Sequence, residues 1–294
     1  MYYLVFGIFY LLSLLPLPVL YIISDGLYAL IYYVIGYRKK VVMDNLEIAF
    51  PEKTEQERKV IAKKFYHNFV DTFIETIKLI SAGKKFIVKR LVLDSDPFTP
   101  LYKQGKRCQL HLGHNFNWEL ANVTMPYNTE YPFLVVYMPI KSKVMDRLFM
   151  YIRTRTGSIM LPATDMRAAM VPWRNKQYLL TLVADQAPGD VSKAYWLNFF
   201  GRPTPFVRGP ETGARAGNIP VIFAQLYKVK RGYYRAYLET GAEDPASLPE
   251  GELTRRYITF LEKAIREHPD MWLWSHRRWK WQWKEDYRNL WIGD

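Results

Sequence analysis

A chain of 294 residues, 49% hydrophobic and 16% aromatic, can bury a full core, and its length fits one catalytic-sized domain with an appendage better than two equal domains. The formal net charge of +13 implies attraction to a polyanion: nucleic acid, anionic lipid head groups or an acidic protein. The lone cysteine, Cys108, excludes an internal disulfide and a cysteine-based zinc site, and within RCQLHL it reads as a small buried hydrophobe rather than a nucleophile.

From Tyr2 to Ser24 the chain carries no charge, and up to Tyr37 only Asp25 interrupts the apolar run before Arg38, Lys39 and Lys40. That is long enough to span a bilayer. Basic residues are missing at the start and no small-residue cleavage pattern follows, so residues 1–37 read as a retained membrane anchor rather than a signal peptide. Pro16 and Pro18 leave two geometries, one tilted spanning helix or two shorter helices dipping into one leaflet. The positive-inside bias places the basic cluster, and everything after it, on the cytoplasmic side.

Thr54 followed by Glu57 reads as a capping box, and Val60, Ile61, Phe65, Phe69, Phe73 and Ile77 keep near-helical spacing behind it, so an amphipathic helix is predicted to about Ile80. His67 within it reads as solvated or locally paired. Beyond it, the apolar runs RCQLHLG, PFLVVYMP, YLLTLVAD and IPVIFAQLY alternate with helical patterns over 117–124, 142–154 and 164–174. This alternation is the signature of an α/β domain with a mixed or mainly parallel sheet over residues 38–294. GYYRAYLETG adds a strand, and LTRRYITFLEKAIREHP a late helix that stops before Pro269.

No phosphate-binding glycine loop, G-x-S-x-G elbow or H-E-x-x-H helix is present. The chemistry concentrates instead in HLGHNFNWE, residues 111–119. If CQLHL is a strand, His111 lies within the sheet as a packing residue, whereas His114, past Gly113, stands at the strand's carboxyl end, where open α/β sheets place their sites. Glu119 can meet His114 across a loop-to-helix junction. There the imidazole would take a proton from a substrate hydroxyl while the carboxylate fixes its tautomer, a triad logic with the substrate's own hydroxyl as nucleophile. His111, His114 and Glu119 are also conceivable metal ligands, but strand alternation and the glycine point the histidines apart, so no metal is expected.

GHNFNWE resembles the H-x4-[DE] motif of the lipid A biosynthesis (lauroyl/myristoyl) acyltransferases. RTRTGSIMLP, the block from LVADQAPGD to IPVIF and the ending HPDMWLWSHRRWK accompany it in order, so the resemblance covers nearly the whole chain. It implies a glycerol-3-phosphate-acyltransferase-like fold and transfer of a fatty acyl group from an acyl-carrier-protein thioester to a hydroxyl of a lipid A precursor or related glycolipid, at the cytoplasmic face of the bacterial inner membrane. No cofactor beyond the acyl carrier protein co-substrate is implied. His114 then matches the general base, Glu119 its partner, Arg155 the arginine after the second strand–helix unit, and Asp185 the aspartate of the PD block, where this chain has ADQAPGD without the preceding proline. Thioester attack builds charge on the carbonyl oxygen, which makes Arg155 the candidate oxyanion donor. Arg153, Arg208 and Arg215 are candidates for a phosphorylated glycolipid. A phospholipid or aminolipid acceptor, or a membrane-associated metal-dependent hydrolase, is the alternative.

Six of the nine tryptophans lie between Trp272 and Trp291 among His276, Arg277, Arg278, Lys280 and Lys284. Indoles beside cations suit a head-group layer, with about half expected in the core. His276 reads as structural or substrate-contacting. The same composition can hold single-stranded nucleic acid, but the anchor and the lack of any nucleic-acid module speak against that.

Overall fold

Pro16 divides the apolar N-terminus. The computed structural model describes residues 1–293, and in it α1 (Tyr2–Leu14) stops ahead of Pro16, whose ring cannot continue a helix, while α2 (Leu17–Ala29) runs on through a π-helical turn at Leu30–Ile35 to Gly36. The segment Leu17–Ile35 is long and apolar enough, by length and composition, to cross a membrane. Its inner side packs antiparallel along a longer helix: Ser24 donates to Asp71 (2.6 Å), Asp25 meets His67 (3.0 Å), and Tyr32 packs edge-on against Tyr66. Ile22, Leu30, Val34 and Ile35 remain exposed on the other side.

After α3 (Lys39–Ala49), that longer helix, α4 (Glu55–Leu79), begins where Thr54 and Glu57 predict it. The Thr54 backbone N–H donates to Glu57 Oε2 (2.7 Å) and the Glu57 N–H donates to Thr54 Oγ1 (3.3 Å), a reciprocal cap contributing about 1 kcal/mol. His67 is locally paired, between Asp25 and Asp71.

The remaining elements follow in order: α5 (Lys84–Val88), β1 (Leu91–Leu93), α6 (Phe98–Lys103), β2 (Cys108–Leu112), α7 (Trp118–Thr124), β3 (Phe133–Tyr137), α8 (Lys143–Thr154), β4 (Ile159–Pro162), α9 (Met166–Ala169), β5 (Leu179–Val183), β6 (Ala194–Phe199), β7 (Arg202–Val207), α10 (Gly209–Ala216), β8 (Val221–Lys230), β9 (Tyr233–Ala242) and α11 (Glu252–Glu267). Seven strands form one mixed sheet in the order β1-β9-β8-β2-β5-β3-β4, antiparallel only between β8 and β9. The α/β expectation holds, with β2 at the centre beside β5, β2 buried throughout and β5 buried over its first three residues, Gln109, His111 and Thr181 being buried among the apolar side chains.

One local expectation fails, and one hairpin has no signal in the sequence. The helix predicted over 164–174 is broken into α9 and flanking 3-10 turns, because Pro172 lacks the N–H a continuous helix needs. The antiparallel β6–β7 hairpin went unread because Pro203 and Pro205 sit inside β7, residues that argue against a strand except at an edge. The tail tryptophans divide much as expected between the core and half-buried positions. Trp272 and Trp274 are buried, Trp279 stacks on Phe199 with ring centroids 5.5 Å apart, and Trp283 and Trp291 join a cluster with Trp196 and Tyr287. The hairpin supplies the apolar surface that takes them in.

Candidate active site

Parallel pairing of β2 with β5 aligns Leu112 with Val183. Two residues further along each chain stand His114 and Asp185, so the register brings their side chains together beyond the strands' carboxyl ends. His114 Nδ1 lies 2.5 Å from Asp185 Oδ1, the His114 backbone N–H donates to Asp185 Oδ2 (2.8 Å), and the Trp272 indole N–H donates to the same oxygen (2.6 Å). Burial by itself pushes the Asp185 carboxyl up, but the His114 charge and these hydrogen bonds outweigh it and hold the group below the usual carboxylate range. An ionised carboxylate can only accept, so Nδ1 carries the proton and the Nε2 lone pair is left to act as a base. Nε2 is met by the Gln186 side-chain amide at 3.1 Å.

Gly113 permits this approach. A Cβ there would stand 2.7 Å from Leu261 Cδ1 and 3.1 Å from Asp185 Oδ2. Gly113→Ala is therefore expected to cost about 1–3 kcal/mol of stability, the range for overpacking, and to lower activity by displacing Asp185. Urea melts alongside initial rates check this, and a fully stable, fully active variant would refute it.

His114 and Gln186 line a cavity of about 570 Å³. Leu110, Leu112, Val183 and Leu238 of the sheet line it, together with Trp118 of α7 and Met125 just beyond that helix. Aliphatic walls beside one imidazole suit a hydrocarbon chain whose reacting end lies at His114. A larger groove, about 1160 Å³ between α11 and β9, is lined by Glu252, Arg255, Arg256 and Lys263 and includes neither His114 nor Asp185. Among the described residues no three or more His, Cys, Asp or Glu side chains are gathered as a metal site.

The family model for the bacterial lipid A biosynthesis acyltransferase matches residues 1–281. The chain belongs to this family. It is similar to the Escherichia coli (strain K12) lipid A biosynthesis lauroyltransferase, with 27% identity over 93% of this chain and 89% of that one. It is also similar, at 23% identity over 93% of this chain and 89% of each relative, to the palmitoleoyltransferase of the same organism and to the lipid A biosynthesis acyltransferase of Shigella flexneri. The enzyme is accordingly an O-acyltransferase.

The expected pairing within this acyltransferase's H-x4-E motif requires correction. Glu119 does not reach His114. It projects from the first turn of α7 toward α8 and accepts from Arg153, whose Nε–H lies 2.9 Å from Glu119 Oε2 and whose Nη2 meets Oε1. Both residues line the cavity. Arg155, the expected oxyanion donor, lies past the end of α8 and donates to the Leu79 carbonyl, outside the cavity lining. Arg208 pairs with Glu250 and covers the Tyr195 ring at 4.2 Å, and Arg215 lies 3.9 Å from Glu211, so neither joins the cavity. His111 sits in the sheet against the Gln109 side chain (2.8 Å), where burial pushes its pKa down to about 3 and keeps it neutral. His276 Nε2 accepts the Ala187 N–H (3.1 Å), and burial followed by the Arg278 charge lowers it to about 4.

Several further residues hold the site's surroundings in roles that the motifs do not disclose. Arg278 is fully buried, donates to the Pro205 carbonyl (2.8 Å) and lies 4.0 Å over the Phe206 ring, where burial lowers its pKa to about 9. Glu75, buried on α4, accepts from Tyr21 (2.8 Å), Asn117 (3.0 Å) and Tyr234 (2.8 Å), while Asn117 Oδ1 caps α7 through the Leu120 N–H (3.1 Å). The helix that follows His114 is thereby fastened to α4 and, through Tyr21, to α2. Asn45 similarly fixes the tail by donating to the Trp274 and His276 carbonyls. Only Glu75, a lone carboxylate in the apolar stretch TFIETI, had a signal of this kind in the sequence.

Proposed function

We propose that the protein transfers a fatty acyl group from an acyl-carrier-protein thioester to a hydroxyl of a lipid A precursor or related glycolipid, in a ternary complex without an acyl-enzyme or a metal. The observation that carries this reading is His114, held by Asp185 through Nδ1, with Nε2 on a cavity of aliphatic side chains. The names of the relatives supply the acceptor class. His114 Nε2 takes the proton of the acceptor hydroxyl as its oxygen bonds to the thioester carbon. The C–S bond then breaks, and the imidazolium returns that proton to the departing thiolate. Asp185 fixes the tautomer and stabilises the imidazolium, while Glu119 acts through Arg153, holding α7 and α8 together along the cavity. Arg155 and Arg208 are left with structural roles.

Residues 1–37 are read as the membrane-seating segment and residues 38–294 as the catalytic domain. The exposed apolar side of α1 and α2 would meet lipid of the bacterial inner membrane, and Arg38, Lys39 and Lys40 would sit on its cytoplasmic face. The test is labelled acyl transfer from acyl carrier protein into defined lipid acceptors by wild type and His114→Ala. Label in a glycolipid, lost in the variant, supports the reading, whereas transfer that begins only when a divalent metal is added would favour a metal enzyme.

A net charge of +13 suits an acidic carrier protein, and exposed complementary charges are screened beyond about 8 Å at physiological ionic strength. Raising salt from 50 to 500 mM should therefore raise the KM for acyl carrier protein severalfold with little change in kcat. A salt-independent KM would point to a different acyl donor.

A further inference from the structure

Once Arg155 is placed on the Leu79 carbonyl, the transition state lacks its expected oxyanion donor. Of the cavity's other side-chain donors, Glu119 holds Nε and Nη2 of Arg153 and the Trp118 indole N–H, and the Asn122 amide donates to the Arg153 carbonyl, while among the described residues Arg153 Nη1 and the Tyr137 and Thr181 hydroxyls are uncommitted but make no hydrogen bond to His114. Gln186 differs. It follows Asp185 directly, lines the cavity, and directs its amide at His114 Nε2, the atom that has to face the acceptor hydroxyl.

The loop bearing Gln186 is fixed on both sides, by the Trp272 indole on Asp185 before it and, after it, by the Ala187 N–H on His276 and by the Trp281 indole on the Pro188 carbonyl (2.9 Å). Its side chain is consequently the part free to respond to substrate. When a hydroxyl donates to Nε2, that lone pair is filled and the amide N–H is released. The nearest new acceptor is the thioester oxygen, which gains charge one bond from the carbon under attack. A neutral amide can follow this course without changing the charge around His114, which a lysine or glutamate could not.

We propose that Gln186 is a second catalytic side chain, holding the hydroxyl's place on His114 Nε2 in the resting enzyme and donating to the thioester oxygen as the tetrahedral intermediate forms. The assignment rests on His114 as the base. Loss of one such donor lowers kcat by about 10²–10³-fold in other acyl-transfer sites.

The test is single-turnover and steady-state transfer by the full-length protein in detergent, using acyl carrier protein loaded with labelled lauroyl and a glycolipid acceptor. Wild type, Gln186→Met, Gln186→Glu and His114→Ala are compared. Gln186→Met keeps length but has no donor, so kcat should fall about 10²-fold with both KM values within threefold of wild type. Gln186→Glu, of nearly identical shape, should lose kcat similarly and move the acid limb of the pH–rate profile upward, because a carboxylate beside Nε2 favours the imidazolium. It also serves if the methionine variant does not fold. A kcat within threefold of wild type in the folded variants, or a loss confined to KM, overturns the assignment while leaving the base in place if His114→Ala is inactive. Transfer retained by His114→Ala overturns the base and Gln186 together.

Discussion

Replacing His114 with alanine is expected to lower single-turnover acyl transfer by about 10²–10⁴-fold, the range that positioned proton transfer contributes, with little change in affinity for either substrate. The imidazole is partly exposed, with 20% side-chain accessibility, and packs edge-on to Trp118 at 5.6 Å between ring centroids. Its loss removes a reacting group without opening the core but leaves the buried Asp185 carboxylate without its ring partner, so a stability loss of about 1–3 kcal/mol should accompany the loss of transfer in a variant that still folds. Rapid-quench transfer from labelled acyl carrier protein, with a thermal melt of the same sample, checks both parts. A folded variant that transfers within tenfold of wild type would remove His114 from the chemistry.

Asp185→Asn is expected to be comparably damaging, for a different reason. Three donors converge on this carboxylate: the His114 ring, the His114 backbone N–H and the Trp272 indole. An asparagine offers a single acceptor oxygen and sets an amide N–H against one of those donors, which favours the wrong imidazole tautomer. Transfer should fall about 10³–10⁴-fold, as when the equivalent group of a triad is neutralised. A buried donor left unpaired should also cost about 1–3 kcal/mol of stability. The pH dependence follows from the lowered pKa of the folded state. The carboxylate's contribution is fully present above the unfolded-state value of about 3.9 and is lost as pH falls through the lower folded value. The stability gap between wild type and variant should accordingly be complete at neutral pH and close only in strong acid.

The place of His114 at a strand end is legible in the sequence and its hydrogen-bond partner is not, and the difference is one of range. His114 follows an apolar strand and a glycine, so its place at a strand end can be read from neighbouring residues. Glu119 looked like the partner because it is five positions away, but the start of α7 aims it at Arg153 on α8. Asp185 lies 71 residues from His114 and becomes its neighbour only through the parallel register of β2 with β5, which strand composition does not encode. Arg155 failed likewise, since its contact with Leu79 at the end of α4 depends on how α8 packs.

Elements with local causes fared better. The Thr54–Glu57 cap and the extent of α4 follow from adjacent residues and stand in the structure as read, although Val60 and Phe73 of its apolar pattern are exposed, and the chain breaks at Pro16, one of the two geometries the prolines left. In the tail the sequence indicates only that a share of the tryptophans is buried and not which ones, because tryptophans beside cations fit a membrane face and an aromatic core equally well. The deciding surface was a hairpin hidden by Pro203 and Pro205. Arg278 shows the same ambiguity, a cation buried over Phe206 within a basic run that reads as solvent-facing.

The pairing of His114 with Asp185 is the central claim, and the single-turnover rate of folded Asp185→Asn at saturating donor and acceptor tests it most directly. A fall of about 10³-fold or more is the predicted result. A rate within tenfold of wild type would mean that His114 takes its orientation from another group and would contradict the account.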